Sequence, residues 1–350
     1  MANGKNGRKQ HPVRTIVIIV LLILSSVLGL EITGPWPDIV DYDLPTEAPT
    51  ATVAVTPEAT VKPAPEVPIT QDGELLLTMI ECGQADSFLF EQSGMVALVD
   101  CGTRFTGDDV VAYLKQKGIT RIDYVFCTHA HDDHQGGLTY IINNFEIGKV
   151  IMPEVEAGKV TANWYISVMQ ELKDGKYTVE HPKVGDIYKL GDATITIHGP
   201  ITPTSNELNN YSTVMMVSFG QMDVLMTGDA ETEVEKELLA AGTNLDAEIL
   251  KVGHHGSDTS SSDEFLDAVS PDYALISCKL GNKHDHPIES TMDKFEARGI
   301  EVYRTDESGT VVVRITSTEA TFDTEPDSYL SGIELEKKVT EWRVMHLWAK

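Results

Sequence analysis

Seven of the eleven histidines fall in three short segments, each just beyond an apolar run that reads as a strand. The densest is Thr128-His129-Ala130-His131-Asp132-Asp133-His134-Gln135-Gly136-Gly137. A tight turn after a strand brings alternate side chains together. Two imidazoles one residue apart, a carboxylate and a third imidazole then form a compact set of borderline ligands, suited to Zn²⁺ or Mn²⁺. The second segment is His254-His255, after AEILKVG, and the third is Lys283-His284-Asp285-His286-Pro287, after YALISC. A polar turn that is His-rich by chance has no need of this spacing, nor of the Gly-Gly pair that closes the first segment.

The elements that must position these residues are short and alternating. From about Glu74 the runs ELLLTMIEC, SFLFEQ and MVALVDC read as a β-meander, separated by the turns GQAD and QSG. Helix and strand patterns then alternate: a helix over Asp108–Lys117, the strand IDYVFCT, a helix after Asp133, the strand KVIMP, and a helix around Asn163–Lys173. Strands follow near Lys176–Glu180 and Ala193–His198. The second half repeats the plan, with STVMMVSFG and MDVLMTGD as a hairpin, then ETEVEKELLAAG, AEILKVG, SSDEFLDAV, YALISC, STMDKFEARG, EVYRT and TVVVRI. Two β-rich halves that each carry helices predict two sheets packed face to face with helices outside.

The 350 residues carry a formal net charge of -27, from 27 Lys plus Arg against 54 Asp plus Glu. Lys5, Arg8, Lys9 and Arg14 sit in an N-terminal stretch without acids, so 23 basic side chains face 54 acidic ones in the rest. Such a surface repels polyanions at long range, and no stable nucleic-acid partner is expected. With 41% hydrophobic residues the chain has material for a substantial core, which excludes wholesale disorder. Residues 1–33 read as a basic leader and an apolar run, Thr15–Leu30, of signal or anchor type. As a helix the run spans about 24 Å, short of a hydrocarbon core of roughly 30 Å. It offers no A-x-A cleavage site, however, so a retained anchor is the preferred reading, with membrane contact through this segment alone. Residues 34–70 hold eight of the sixteen prolines and one basic residue, Lys62, and read as an extended linker. A folded domain that carries all three histidine segments follows over 71–322, and 323–350 is a tail with a helical pattern expected to pack on the domain. The four cysteines, Cys82, Cys101, Cys127 and Cys278, lie at strand ends and are expected to be buried free thiols.

The pattern His-x-His-x-Asp-His resembles the metallo-beta-lactamase superfamily. LVDCG, with Asp100 at a strand end, is similar to that superfamily's first motif, and LMTGDAE, with Asp229, to its bridging-carboxylate motif. More narrowly, GQADS (83–87), NNYSTV (209–214), LKVGHHGS (250–257) and KHDHP (283–287) resemble the hydrolase domain of competence proteins for DNA uptake and their stand-alone exported relatives. Phosphorylcholine esterases are more distantly similar. The resemblance spans about residues 74–316 and implies an α/β fold, an αββα four-layer sandwich, with two divalent metal ions, Zn or Mn, at one edge. It implies that His129 and His131 hold one ion, Asp133 and His134 the other, and Asp229 both, with His255 or His254 completing the second. Asp100 would orient a ligand imidazole from behind. The superfamily's usual third histidine of the first ion has no clear counterpart. His181 and His198 lie in the right interval, but His198 reads as a strand residue, and NNYSTV, with Asn210, takes that place.

The chemistry follows from such a centre. Two cations lower the pKa of a shared water to about 7, and the hydroxide attacks phosphorus or a carbonyl carbon. Asp133 belongs to this catalytic set. Whichever of His254 and His255 is free of metal is a candidate proton donor to the leaving group, as is His286 at the rim. Gln84 and Asp86 sit in a turn expected to face the metals. Gly256 and Ser257 are expected to open a helix whose first amides could bind phosphate. Lys251 and Lys283 are the cations nearest the histidine segments. The expected function is an exported, metal-dependent hydrolase of a small or polymeric phosphodiester. The alternatives are a same-fold hydrolase of a carbon ester, lactone or β-lactam, and a non-catalytic binding module with a decayed site.

Overall fold

The computed structural model describes residues 73–202 and 205–347, so the leader and linker expected over 1–33 and 34–70 lie outside the described residues. Among the described residues no helix is long and apolar enough to cross a membrane.

The chain builds one sheet, then a second, then returns to the first. Strands β1 (Leu75–Met79), β2 (Phe88–Gln92), β3 (Met95–Val99), β4 (Arg121–Phe126), β5 (Glu146–Ile151) and β6 (Val179–Glu180) come first. The second sheet takes β7 (Ile187–Leu190), β8 (Ala193–Gly199), β9 (Val214–Phe219), β10 (Met222–Met226), β11 (Ile249–Lys251), β12 (Tyr273–Ile276) and β13 (Glu301–Arg304). The last strands, β14 (Val311–Ile315) and β15 (Ala320–Phe322), rejoin the first sheet, whose order is β15-β14-β1-β2-β3-β4-β5-β6. The second sheet has the order β13-β12-β11-β10-β9-β8-β7.

Strands such as LLLTM, FLFEQ and VMMVSF are mostly apolar and almost wholly buried because both faces are covered. Side chains of a strand alternate between faces. Leu75, Leu77, Met79, Phe88 and Phe90 point into a core shared with Ile195, Met215, Val217, Val224 and Leu275 of the other sheet. Leu89, Leu98 and Val125 point outward, onto the helices Gly107–Gln116, Leu138–Asn144 and Asn163–Asp174. On the second sheet, Val214, Leu225 and Leu250 meet the helices Thr232–Ala240, Asp263–Val269 and Glu289–Arg298 in the same way. Three apolar layers between four structural layers make the expected αββα sandwich. The short strand β7 is absent from the sequence reading: four residues, with Ile187 exposed, carry too little pattern.

Two expectations need correction. Gly256 and Ser257 do not open a helix; they end a single 3₁₀ turn, Gly253–Gly256, and the next helix begins at Asp263, capped by Ser262. The terminal helix, Gly332–Leu347, packs only through its first turn, where Leu335 is buried. Trp342 and Met345 stand 57% and 63% exposed, so its second half does not lie on the domain. The segment leading to it is nonetheless built in. The buried Arg304 guanidinium bonds the carboxylate of Asp306 and the carbonyls of Ser328 and Leu330.

All four cysteines are buried and free. Burial raises the thiol pKa of Cys82, Cys101 and Cys278 well above its ordinary value, leaving almost no thiolate to react. A thiol reagent should therefore find none of them in the folded domain and all four after unfolding without reductant; fewer than four would reveal a disulfide.

Candidate metal centre

The site is assembled from loops that leave the carboxyl ends of strands in both sheets. Asp100 follows β3, His129 to His134 follow β4, Asp229 follows β10, and His254 and His255 follow β11. Parallel neighbours align these ends, and the loops converge at one edge of the sandwich. The approach is close enough to dictate glycines. A Cβ on Gly137 would collide with the carbonyl of Cys101, and one on Gly228 would stand 2.8 Å from Thr128 Cβ. Asp100, His254 and His255 have left-handed backbones (φ 62°, 49° and 55°), a strained conformation that persists where surrounding contacts hold a side chain in a required place.

One atom lies at the middle. Asp229 Oδ2 is 3.1 Å from His134 Nε2, 3.7 Å from His255 Nε2, and 3.8 Å from both His129 Nε2 and His254 Nε2. Ligand atoms at about 2.1 Å from a tetrahedral ion are themselves about 3.4 Å apart, so this spacing suits shared coordination. His131 Nδ1 is 2.9 Å from His129 Nε2, and Asp133 Oδ2 is 3.6 Å from His255 Nε2. Asp133, His134, Asp229 and His255 form a set whose ligand atoms all lie within 4.8 Å of one another.

Hydrogen bonds behind the rings fix which nitrogen faces inward. His134 Nδ1 donates to Asp100 Oδ2 (2.8 Å), and His255 Nδ1 to the carbonyl of Ser277 (2.7 Å). Thr128 Oγ1 gives its proton to Asp100 Oδ2 and so accepts from His129 Nδ1 at 3.2 Å. Each of these three imidazoles thus turns Nε2 towards Asp229. His134 Nε2, His255 Nε2 and Asp229 Oδ1 are buried and take no hydrogen bond, which leaves them as ready ligand atoms for a cation. Ser212, from NNYSTV, supports the centre from behind: its hydroxyl is 3.3 Å from His129 Nδ1 and accepts from the amide of Asp229.

The electrostatics point the same way. Burial opposes charge on His134 and His255, yet Asp229 and Asp100 raise His134 well above an ordinary histidine. Asp229 and Asp86 likewise push His255 up to about 10. Burial also opposes ionisation of Asp133 and Asp229, but neighbouring imidazolium charge holds both below the ordinary carboxylate range. His129 goes the other way, driven well down by burial and by the charge of His134. Buried carboxylates are drawing positive charge into the cluster, and a divalent cation answers the same demand. Beneath it lies Lys251, fully buried, with Nζ 2.5 Å from Asp86 Oδ2, 3.7 Å from Asp229 Oδ1, and donating to the carbonyl of Gly228.

Other candidates lie around this centre. His254 is at the mouth, its Nδ1 3.0 Å from Thr259 Oγ1. His286 is at the rim: Gln84 Nε2 donates to its Nδ1 at 3.5 Å, while Gln84 Oε1 accepts from the amide of Lys279. Burial and the charge of His255 press His286 down to about 3. Asp86 is inside the site, 3.3 Å from His255 Nδ1. Asn210 bonds Glu233 and the amide of Glu231, and Ser257 bonds Thr259; both hold loops and neither bonds a ligand side chain. His181 bonds the carbonyl of Met152, and His198 is a half-buried residue of β8; neither joins the cluster. Lys279 is a cation near the histidine segments that the sequence reading passed over.

The sequence profile described as metallo-beta-lactamase superfamily matches residues 80–279. ComE operon protein 3 of Bacillus subtilis (strain 168) is 30% identical over 284 residues, covering 76% of this chain and 36% of that protein. Competence protein ComA of Neisseria gonorrhoeae is 30% identical over 240 residues, 68% of this chain and 32% of its own length. The chain therefore spans about a third of the length of these curated relatives. Among solved structures, the metallo-beta-lactamase fold protein YhfI from Bacillus subtilis aligns with 15% identity and a TM-score of 0.48, over 70% of this chain and 100% of that one.

Proposed function

This chain belongs to the metallo-beta-lactamase superfamily, with competence proteins among its relatives, and we propose that it is a metal-dependent hydrolase cleaving phosphodiesters outside the cytoplasm. The observation that carries this reading is the position of Asp229 Oδ2, shared between the His129/His131 pair and the Asp133/His134/His255 set. Such an oxygen suits two divalent ions side by side, Zn or Mn. A bound pair supplies an activated water and neutralises the oxygens of an in-line displacement at phosphorus.

The chain's own residues do the rest. Asp100, Thr128 and Ser277 hold the imidazoles in the tautomer that presents Nε2 inward. Lys251 offsets the charge of Asp86 and Asp229 from beneath. His254, three-quarters buried at the mouth, is the side chain best placed to meet a leaving oxygen. The basic leader, apolar run and proline-rich linker support an extracytoplasmic location, where short nucleic acids and cell-wall polymers are the available phosphodiesters.

The test is a panel assayed with Zn²⁺ or Mn²⁺: bis-p-nitrophenyl phosphate, p-nitrophenyl-phosphorylcholine, single-stranded DNA and nitrocefin. At least one phosphodiester should be cleaved and cleavage should stop on chelation. Opening of nitrocefin with every phosphodiester intact would overturn the reading.

A further inference from the structure

Beside Asp133 a groove of about 410 Å³ opens to solvent, lined among others by Gln84, Asp132, Asp133, Lys279, Lys283 and His284. Its volume lies in the range of small-molecule sites. Its charged lining is two carboxylates and two ammonium groups, on a chain of net charge -27. Its two carboxylates are both occupied: Asp133 belongs to the metal-ligand set, and Asp132 is paired with Arg104 at 2.7 Å. The ammonium groups of Lys279 and Lys283 are not. Neither makes an ion pair or hydrogen bond among the described residues, although Glu81 and Glu336 stand close by, the first on the amide of Gly83 and the second beside Gly281.

The loop that carries the lysines is built before any ligand arrives. Asn282, nearly buried, donates to the carbonyls of Lys279 and His286 and accepts from the amides of His284 and His286. The Lys279 amide is bonded to Gln84 Oε1, and its side chain runs beside Gly83. Gly332, at the start of the terminal helix, donates to the carbonyl of Pro287 and lies too close to the His286 carbonyl to carry a Cβ. Two unpaired cations are thus held on a pinned loop, in a groove that begins at a metal-ligand carboxylate.

We propose that this groove is a subsite for a second phosphate of the substrate, bound by Lys279 and Lys283 next to the scissile one. The proposal rests on the phosphodiesterase reading and narrows it. A substrate with phosphates in succession, such as an oligonucleotide, gains from both lysines, whereas a phosphorylcholine ester brings a cation towards them and gains nothing. Point-charge recognition by Lys suits a phosphate group at an open site.

The experiment compares the thymidine dinucleotide TpT with its 5′- and 3′-phosphorylated forms, pTpT and TpTp. In wild-type protein one phosphorylated form should show a KM at least fivefold below that of TpT. In K279A/K283A that ratio should fall towards one, and in K279R/K283R it should return; metal content measured alongside reports whether the centre is intact. Equilibrium binding in EDTA, where nothing turns over, reads the lysines alone and should favour the same phosphorylated form at least threefold. Equal binding and equal KM for all three dinucleotides overturn the subsite. Failure of the wild-type protein to cleave bis-p-nitrophenyl phosphate overturns the parent reading instead, and the binding comparison still decides the subsite.

Discussion

Asp229→Asn is expected to strip bound divalent metal from the domain and to lower phosphodiester hydrolysis by on the order of 10³-fold, the scale seen when a principal transition-state stabiliser is removed. The carboxylate is fully buried and its Oδ2 lies within 3.8 Å of four imidazole nitrogens. An amide keeps the volume but not the charge, and it offers one oxygen where a shared ligand must serve both sides. Elemental analysis of the purified variant should find well under one metal equivalent, and circular dichroism should still report a folded domain. A variant that kept two equivalents and wild-type turnover would remove Asp229 from the centre.

Lys251→Met is expected to cost stability, by about 3–5 kcal/mol, because it leaves partners of a buried ion pair uncompensated. The ammonium is fully buried between Asp86 and Asp229, and without it those carboxylates face each other across a dry space. Burial alone would lower the pKa of Lys251, but Asp86 and Asp229 raise it above the ordinary lysine value. A group whose folded pKa is raised contributes stability below its unfolded pKa and loses it as pH rises through the folded one. The contribution is therefore intact at neutral pH and lost only in strong alkali. Asp86 is shifted the opposite way: burial would raise it, Lys251 and His255 lower it, and its contribution disappears as pH falls through the depressed value. In thermal unfolding, K251M should melt well below wild type and K251M/D86N should recover part of the loss, since the second change removes the orphaned charge. An unaltered melting temperature in K251M would contradict the account.

Much of the candidate centre was legible because four of its residues come from one short segment. His129, His131, Asp133 and His134 fit in one turn, and the turn advertises itself by composition and by Gly136-Gly137. The resemblance supplied Asp229 and left His254 and His255 open; in the structure His255 is buried with Nδ1 on the Ser277 carbonyl, and His254 is at the mouth. Lys251 was illegible as a charge partner. Inside ILKVG it reads as one polar residue of a strand, and only the convergence of Asp86 from another sheet reveals its use. Ser212 and Ser277 were hidden for the same reason: a hydroxyl or a carbonyl behind an imidazole has no spacing rule. The terminal helix misled because its apolar residues are scattered around its circumference, so composition suggested packing where geometry allows only the first turn.

The antiparallel register joining Leu75–Met79 to Val311–Ile315 ties the first strand of the domain to nearly its last. Contacts between residues so distant in sequence form slowly, because a long loop must close before they are rewarded. The first sheet cannot be completed while the chain is still emerging, even though every metal-ligand candidate precedes residue 256. Until β14 arrives, β1 presents an unpaired apolar edge, the kind of surface that invites pairing with a neighbouring chain. Closure of that edge therefore has to wait for residues 311–315, long after the segments that carry the candidate ligands have been made.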